Sequence, residues 1–290
     1  WKKNSDWDGR GVYFQLDEKS PTINVMEVEL LKEKLNEFGD KVKFEYDLKK
    51  KNWFNIGGKS KVFYKAENLK ELVNFIKKIK GKEKIFILGA GSNTLITDNL
   101  FDGIVVKLGK NFNNISLLDD NVIIAGSAVS DKALSSFAID NNLSGFEFLS
   151  GIPGTIGGGI RMNAGCFGKE FKDILLSIQA IDAFGNVITM PAEEIKFEYR
   201  NSNLPEDLVF LSASFKGVRG DENEIKNLTN ELKLKKEKAQ PTRIKTSGST
   251  FKNPIKKTKK KVWELIKESV PLNTRFGDAC ISEKHSNFFI

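Results

Sequence analysis

The sequence predicts an α+β protein built from more than one lobe. Its 290 residues are enough for two or three hydrophobic cores. Between Val42 and Leu88 the residue patterns run strand, strand, helix, strand. Beyond them short strands dominate, until a long charged helix over Asp221–Gln240 sets off the C-terminal segment.

Each element has its own signal. Residues 1–23 show no apolar period, and Met26 is a candidate native start with upstream sequence carried over before it. Val28, Leu31, Leu35 and Phe38 recur at steps of three and four, an amphipathic helix that Gly39 ends. Val42–Asp47 alternates like a strand; Lys61–Ala66 is a strand, Leu69–Ile79 a helix and Lys84–Leu88 a buried strand. Gly103–Leu108 and Asn121–Ala125 read as strands, and Val129–Asn141 as a helix with Asp131 in its first turn. Ile174–Phe184 and Asn186–Pro191 are strands joined at the hairpin signal Gly185-Asn186, and Leu208–Phe215 is another strand. The helix Asp221–Gln240 follows a break at Gly220, places Ile225, Leu228 and Leu232 on one side, and reads as a connector. Val262–Ser269 is a short helix, and Ala279–Ile290 the start of a strand. The expected division is a tail over 1–24, a domain over 25–220 with lobes at about 25–110 and 111–220, and a C-terminal domain over 221–290.

Composition narrows the chemistry. Hydrophobic residues are 40% and charged residues 29%, ordinary for a soluble globular protein. No run of about 18 apolar residues suggests a membrane span. The first residues carry scattered charges and no apolar core of a secretory signal. A single histidine, His285, and two distant cysteines, Cys166 and Cys280, argue against a disulfide scaffold or a zinc site and fit a reducing cytoplasm. They leave a serine–histidine hydrolase only if His285 is its base. Acid–base work then falls mainly to Ser, Tyr, Lys, Arg or carboxylates. The net charge is 46 − 38 = +8. It fits either a solvated lysine-rich surface or attraction of an anionic partner. The run Lys256, Lys257, Lys259, Lys260 and Lys261 lacks the interleaved aromatics of a single-strand stacking platform.

Two glycine loops are the candidate ligand site. The strand Lys84–Leu88 runs into Gly89, Ala90, Gly91, Ser92, Asn93 and Thr94. Glycines admit close approach of backbone amides to an anion, and the hydroxyls and amide add donors. A plain strand-to-loop turn is the competing reading, since the third glycine and long helix of a dinucleotide fingerprint are missing. The second loop, Gly151 to Gly165, holds six glycines in fifteen residues and follows the apolar Phe146, Phe148 and Leu149. A flexible linker would be polar, whereas Ile152, Pro153, Ile156, Ile160 and Met162 imply packed backbone. A flat ring with its pyrophosphate is a natural occupant.

These segments resemble the UDP-N-acetylenolpyruvoylglucosamine reductases. The matching runs are Asn55-Ile-Gly-Gly58, Gly89–Asp98, Gly151–Gly165 with Cys166-Phe-Gly168, Tyr199-Arg-Asn-Ser202, Gln240-Pro241, Gly248-Ser-Thr-Phe-Lys-Asn-Pro254 and Ile281–Phe288. Their order is the family's, and they cover residues from about 40 onward. The resemblance implies a vanillyl-alcohol-oxidase (PCMH) type of fold, with two α+β lobes for FAD and a third for a UDP-sugar. It implies that NADPH reduces the flavin, which then reduces the enolpyruvyl double bond. No long insertion follows Arg200, which matches the family's shorter subtype. Ser249 falls on the family's proton donor and Arg200 on its catalytic arginine. Tyr199, Lys252 and Asn253 fall on substrate-holding positions. The flavin set comprises Gly89, Ala90, Gly91, Ser92, Asn93 and Thr94, with Gly151, Ile152, Pro153, Gly154, Thr155, Gly158, Asn163, Ala164 and Gly165. Arg161 reads as a surface charge, His285 as a structural hydrogen-bonding residue, and both cysteines as small packed residues. A monomeric cytoplasmic enzyme follows, with no metal, nucleic acid or membrane partner.

One departure stands out. No residue up to Ile290 matches the family's third catalytic residue, a C-terminal glutamate; Glu283 is not its substitute. The expectation is a fragment with an apolar strand, Phe288–Ile290, cut mid-course, or else a weak or inactive reductase. The alternatives are another FAD oxidoreductase of this fold, or a non-catalytic binder of nucleotide-sugar or nucleic acid. A covalent-flavin oxidase is disfavoured, because no histidine lies near either glycine loop.

Overall fold

A computed structural model describes residues 12–13, 25–79, 81–241 and 244–290. The expected tail over 1–24 lies outside these residues, save for the strand Val12–Tyr13, which pairs in parallel with Thr94–Leu95.

The first sheet has four strands in the order Val42–Asp47, Lys59–Ala66, Phe101–Leu108, Ile85–Ile87. The first pair is antiparallel and the others parallel. Leu69–Ile79 provides the crossover between the second and third of these strands in the chain. Its Leu72, Phe75, Ile76 and Ile79 are buried, one apolar stripe at helical spacing. Phe75 stacks on Tyr64 with ring centroids 3.8 Å apart. On the other face Leu48, Phe63, Leu88, Ile96, Phe101 and Val105 form a small separate core directly beneath the first glycine loop.

The second sheet has five antiparallel strands in the order Val187–Pro191, Leu175–Ile181, Val209–Lys216, Val122–Gly126, Ile115–Asp119. One face packs under the helix Asp131–Asp140 and the second glycine loop. Ile181, Val209 and Leu211 from this sheet enter the first sheet's core, so the two lobes share buried apolar surface. The helix Glu222–Ala239 leads to the C-terminal segment. There Val262–Ser269 and the short strands Arg275–Phe276 and Ala279–Cys280 flank an irregular β arrangement.

Several sequence expectations need correction. The edge strand Ile115–Asp119 escaped notice because it buries neither face fully; Leu118 is 66% exposed. The second glycine loop contains a short helix, Ile156–Arg161, where three glycines argue against one. Tertiary packing overrides propensity: a Cβ on Gly159 would stand 2.3 Å from the Phe171 ring. The connector helix buries Ile225 and Thr229, while Leu228 faces solvent. The run Phe288–Ile290 is paired: Ile290 and Cys280 exchange both backbone hydrogen bonds at 2.9 Å, and Phe288 bridges to Ser249. Arg161 is no surface charge. Its guanidinium donates to the carbonyls of Leu204, Pro205 and Leu208 at 3.0, 2.7 and 2.8 Å and lies over the Phe210 ring.

Asp131 is the least conventional core residue. It occupies the first turn of its helix, where Ser130 already caps by accepting from the Ala133 amide. Its carboxyl is fully buried and neither oxygen has a hydrogen-bond partner among the described residues. Burial pushes its pKa up to about 8, with only a partial offset from the Lys236 charge. The unfolded carboxyl loses its proton near pH 4, whereas the folded one keeps it to about pH 8. The folded state therefore binds the extra proton across that window, and Asp131 costs increasing stability as pH rises through it. Asp131→Asn should raise the thermal midpoint more at pH 8 than at pH 5, by on the order of a few kcal/mol in relative stability. A difference from the parent chain that stays equal at the two pH values in a thermal melt would refute this.

Candidate active site

The two glycine loops meet. The Ser92 hydroxyl donates to the Pro153 carbonyl, tying the first loop to the second. Beside this bond a Cβ on Gly89 would stand 2.6 Å from Thr155 Oγ1, so only glycine lets the loops close. Gly91 adopts φ +69°, and a Cβ there would lie 2.3 Å from the Lys51 carbonyl oxygen. The Trp53 amide donates to the Gly91 carbonyl at 3.0 Å. Asn52, buried, holds that backing turn together by donating to the carbonyls of Leu48 and Ile56. The Asn55–Gly58 run packs behind the same loop: the Gly58 amide donates to the Thr97 carbonyl at 2.7 Å.

The free donors of these loops are on the backbone. The amides of Ala90, Gly91, Ser92 and Asn93 have no acceptor among the described residues, and neither do those of Thr155 and Gly158. By contrast, Ile156 and Gly157 spend theirs on the carbonyls of Val129 and Ser127, fastening the second loop to its sheet. A cluster of unspent amides on two abutting loops is the donor set of an anion nest. It fits the pyrophosphate of a dinucleotide such as FAD. Lys107, half-buried, donates to the Gly89 carbonyl at 2.7 Å, and burial lowers its pKa.

The other flavin-loop candidates divide by role. Gly91, Ser92 and Thr94 are buried and Asn93 is exposed; Gly89, Ala90, Gly151, Ile152, Gly154, Thr155 and Gly165 are half-buried, with Pro153 and Gly158 exposed. Asn163 and Ala164 are buried. Asn163 is spent inside the chain. It donates to Glu170 at 3.0 Å and to the Glu198 carbonyl, and accepts from the Lys172 amide. These bonds fix the loop.

The C-terminal segment closes on this site. The Gly248–Pro254 and Ile281–Phe288 runs are zipped together. Asn287 donates to the Phe251 carbonyl and accepts from the Phe251 amide, at 2.9 and 3.0 Å. The Thr250 amide donates to the Asn287 carbonyl at 2.9 Å. His285 Nδ1 accepts from the Asn287 amide, its ring meets Phe288 edge-on, and burial lowers its pKa. Gly248, at φ +84°, brings the segment to the Ser92 carbonyl, and exposed Ser249 follows it.

Asn253 donates to the Tyr199 hydroxyl at 3.2 Å and accepts from the Val262 amide. Two expected substrate residues on different lobes are thereby joined. Arg200, next to Tyr199, sits at φ +58°, uncommon for a residue with a long side chain. Such strain persists where surroundings enforce it. The Arg200 guanidinium has no hydrogen-bond acceptor or ion-pair partner among the described residues, and half-buried Lys252 has none either. Cys166 and Cys280 are free and half-buried. The described residues hold no group of three or more metal-capable side chains and no helix long and apolar enough to cross a membrane.

Sequence reasoning missed Lys107, Asn52, Asp131 and Lys236. Only the last carried any signal, as one of several lysines on a helix whose phase the fold decides.

Known proteins match this arrangement. Residues 60–191 match the family model of an FAD binding domain. Residues 240–290 match that of the UDP-N-acetylenolpyruvoylglucosamine reductase C-terminal domain. The reductase of that name from Pelagibacter ubique is 63% identical over 91% of this chain and 88% of its own length. The one from Rickettsia canadensis is 44% identical over 86% and 83%. The crystal structure of UDP-N-acetylenolpyruvylglucosamine reductase from Thermus caldophilus superposes with a TM-score of 0.74 at 30% identity, covering 84% of this chain and 86% of that one. The fold is therefore the two-lobed FAD-binding α+β type, and the chain belongs to the UDP-N-acetylenolpyruvoylglucosamine reductase family.

Proposed function

We propose that this protein reduces the enolpyruvyl group of UDP-N-acetylglucosamine-enolpyruvate to give UDP-N-acetylmuramate for peptidoglycan, with FAD as cofactor and NADPH as reductant. The observation that carries this reading is the convergence of the Ser249 segment, the Tyr199–Asn253 bond and both glycine loops at one place.

FAD, when bound, supplies the two-electron chemistry. The unspent amides of Ala90–Asn93, Thr155 and Gly158 would hold its pyrophosphate. Tyr199, with Lys252 and Asn253 on the facing lobe, holds the UDP-sugar. Charge develops on the substrate's carboxylate end as its double bond is reduced. Arg200, without an ion-pair partner among the described residues, stabilises that charge. Ser249 gives a proton to the carbon beside it. A serine hydroxyl is a weak acid at its ordinary pKa, so its acidity depends on the charge field of the site. The division at about residue 220 separates cofactor binding from substrate binding. We further propose that the enzyme works as a monomer in the cytoplasm.

Purified protein should be yellow, its flavin absorbance bleaching with NADPH and returning on addition of the enolpyruvyl UDP-sugar. A colourless protein that takes up no FAD would sink the reading. Ser249→Ala should leave flavin reduction by NADPH intact and slow reoxidation by substrate roughly 100-fold or more relative to the parent chain, the scale of a lost general acid. Equal losses in both half-reactions, measured by stopped-flow absorbance, would make Ser249 structural.

A further inference from the structure

Lys236 is one of several lysines in the connector helix Glu222–Ala239, and its surroundings differ from those of its neighbours. Lys226 and Lys235 pair with glutamates one turn away. Lys236 points inward. Its stem lies across the second glycine loop, where a Cβ on Gly151 would stand 2.9 Å from its Cδ. Gly151 is thus small to admit a lysine stem. The groups within electrostatic reach of the Lys236 ammonium are Cys166, Arg200 and Asp131. Burial lowers its pKa, with a partial offset from Cys166, a further lowering from the Arg200 charge and a smaller offset from Asp131.

The balance of charge in this cluster is uneven. Arg200 is a cation near enough for its charge to disfavour the Lys236 ammonium. Neither has an ion pair or a side-chain hydrogen bond among the described residues. The two acids beside them are kept neutral by burial: Cys166 has its pKa raised, and Asp131 holds its proton to about pH 8. A fold that buries a lysine next to an arginine pays for desolvation and for repulsion. It gains from both only when an anion enters.

We propose that Lys236 is a second cation of the substrate site, acting with Arg200 on the carboxylate of the enolpyruvyl group, and that it sets the preference for an acidic substrate over its neutral-sugar counterpart. The assignment rests on the reductase reading above. The adjacency of Arg200 argues for the substrate carboxylate. The contact with Gly151 leaves the FAD pyrophosphate as the competing anion, and the test separates the two.

Lys236→Met keeps the apolar stem on Gly151 and removes the charge. Binding to the oxidised flavoprotein is read from the flavin difference spectrum, with UDP-N-acetylglucosamine-enolpyruvate and with UDP-N-acetylglucosamine, which lacks the carboxylate. The variant should weaken binding of the enolpyruvyl compound by roughly 10- to 100-fold, the range for one lost hydrogen bond to a charged group. Affinity for UDP-N-acetylglucosamine should change by less than about threefold, against that same scale. Lys236→Arg should restore most of the preference. FAD content should stay at the parent value, and the thermal midpoint should hold or rise, because the desolvated charge is gone. Equal weakening for both ligands overturns the inference, because Lys236 then serves the shared UDP portion or the fold. Loss of FAD from Lys236→Met, with Lys236→Arg retaining it, also overturns it and assigns the lysine to the cofactor. If Lys236→Met fails to fold, Lys236→Gln and Lys236→Arg take its place; an unchanged preference in the former overturns the proposal. A parent protein that binds no FAD shows instead that the reductase reading has failed, and this inference with it.

Discussion

The structure depends on the contact between the two glycine loops, centred on the hydrogen bond from the Ser92 hydroxyl to the Pro153 carbonyl. Each loop belongs to a different sheet. A shared apolar core holds the sheets together, but apolar packing is non-directional and does not set two backbones in register. The Ser92 bond does, and it needs Gly89 bare against Thr155 and Gly91 bare against Lys51. The loops are held from behind by Asn52, by the Asn55–Gly58 turn and by the small core that includes Leu88 and Ile96. What remains in front are amides with nothing to bond inside the chain. Preorganised donors of this kind cost little to align when an anion arrives. The cost has been met in folding the loops.

The substrate half of the site is assembled differently. Few interactions join the C-terminal segment to the FAD-binding lobes near the site, chiefly the Asn253–Tyr199 bond and the approach of Gly248 to Ser92. Within the segment, however, Asn287 locks two distant runs together through paired bonds to Phe251. The segment is internally defined and lightly attached. Ser249 therefore rides on a firm element whose placement relative to Arg200 depends on a small number of polar contacts.

The contrast between what the sequence made legible and what it hid follows the same physics. The strands and helices with one clean buried face, such as Leu69–Ile79 and Val42–Asp47, were readable because their apolar periods match their geometry. The edge strand Ile115–Asp119 has no such face, and the helix Ile156–Arg161 is formed by its neighbours against its own glycine content. The site residues were reachable only as an ordered set of motifs. Periodicity says nothing about which amides stay unspent. It says nothing either about whether Arg161 faces solvent or clamps three carbonyls. Asn163 illustrates the limit from the other side: it sits in a glycine loop that suits a ligand, yet its side chain bonds to Glu170, to the Lys172 amide and to the Glu198 carbonyl.

Charge is where local pattern was least informative and three-dimensional arrangement most decisive. The excess of +8 reads as a lysine-rich surface, and much of it is one, with Lys260 paired to Glu268 and Lys226 to Glu222. Two cations escape that description. Arg200 is held in a left-handed backbone conformation, and Lys236 is drawn over Gly151 beside acids that burial keeps neutral. In water such charges would be screened within about 10 Å at 0.1 M salt. Half-buried, beside a neutral carboxyl and a neutral thiol, they keep their field. Asp131 sharpens the point: an ionised carboxylate there would cancel much of Lys236, and its fully buried setting under Gly154 is what keeps the proton on. A reaction that places negative charge on a small carboxylate-bearing fragment is served by a positive corner that no described residue pairs, and the fold sustains it through strain at one residue and desolvation at two others.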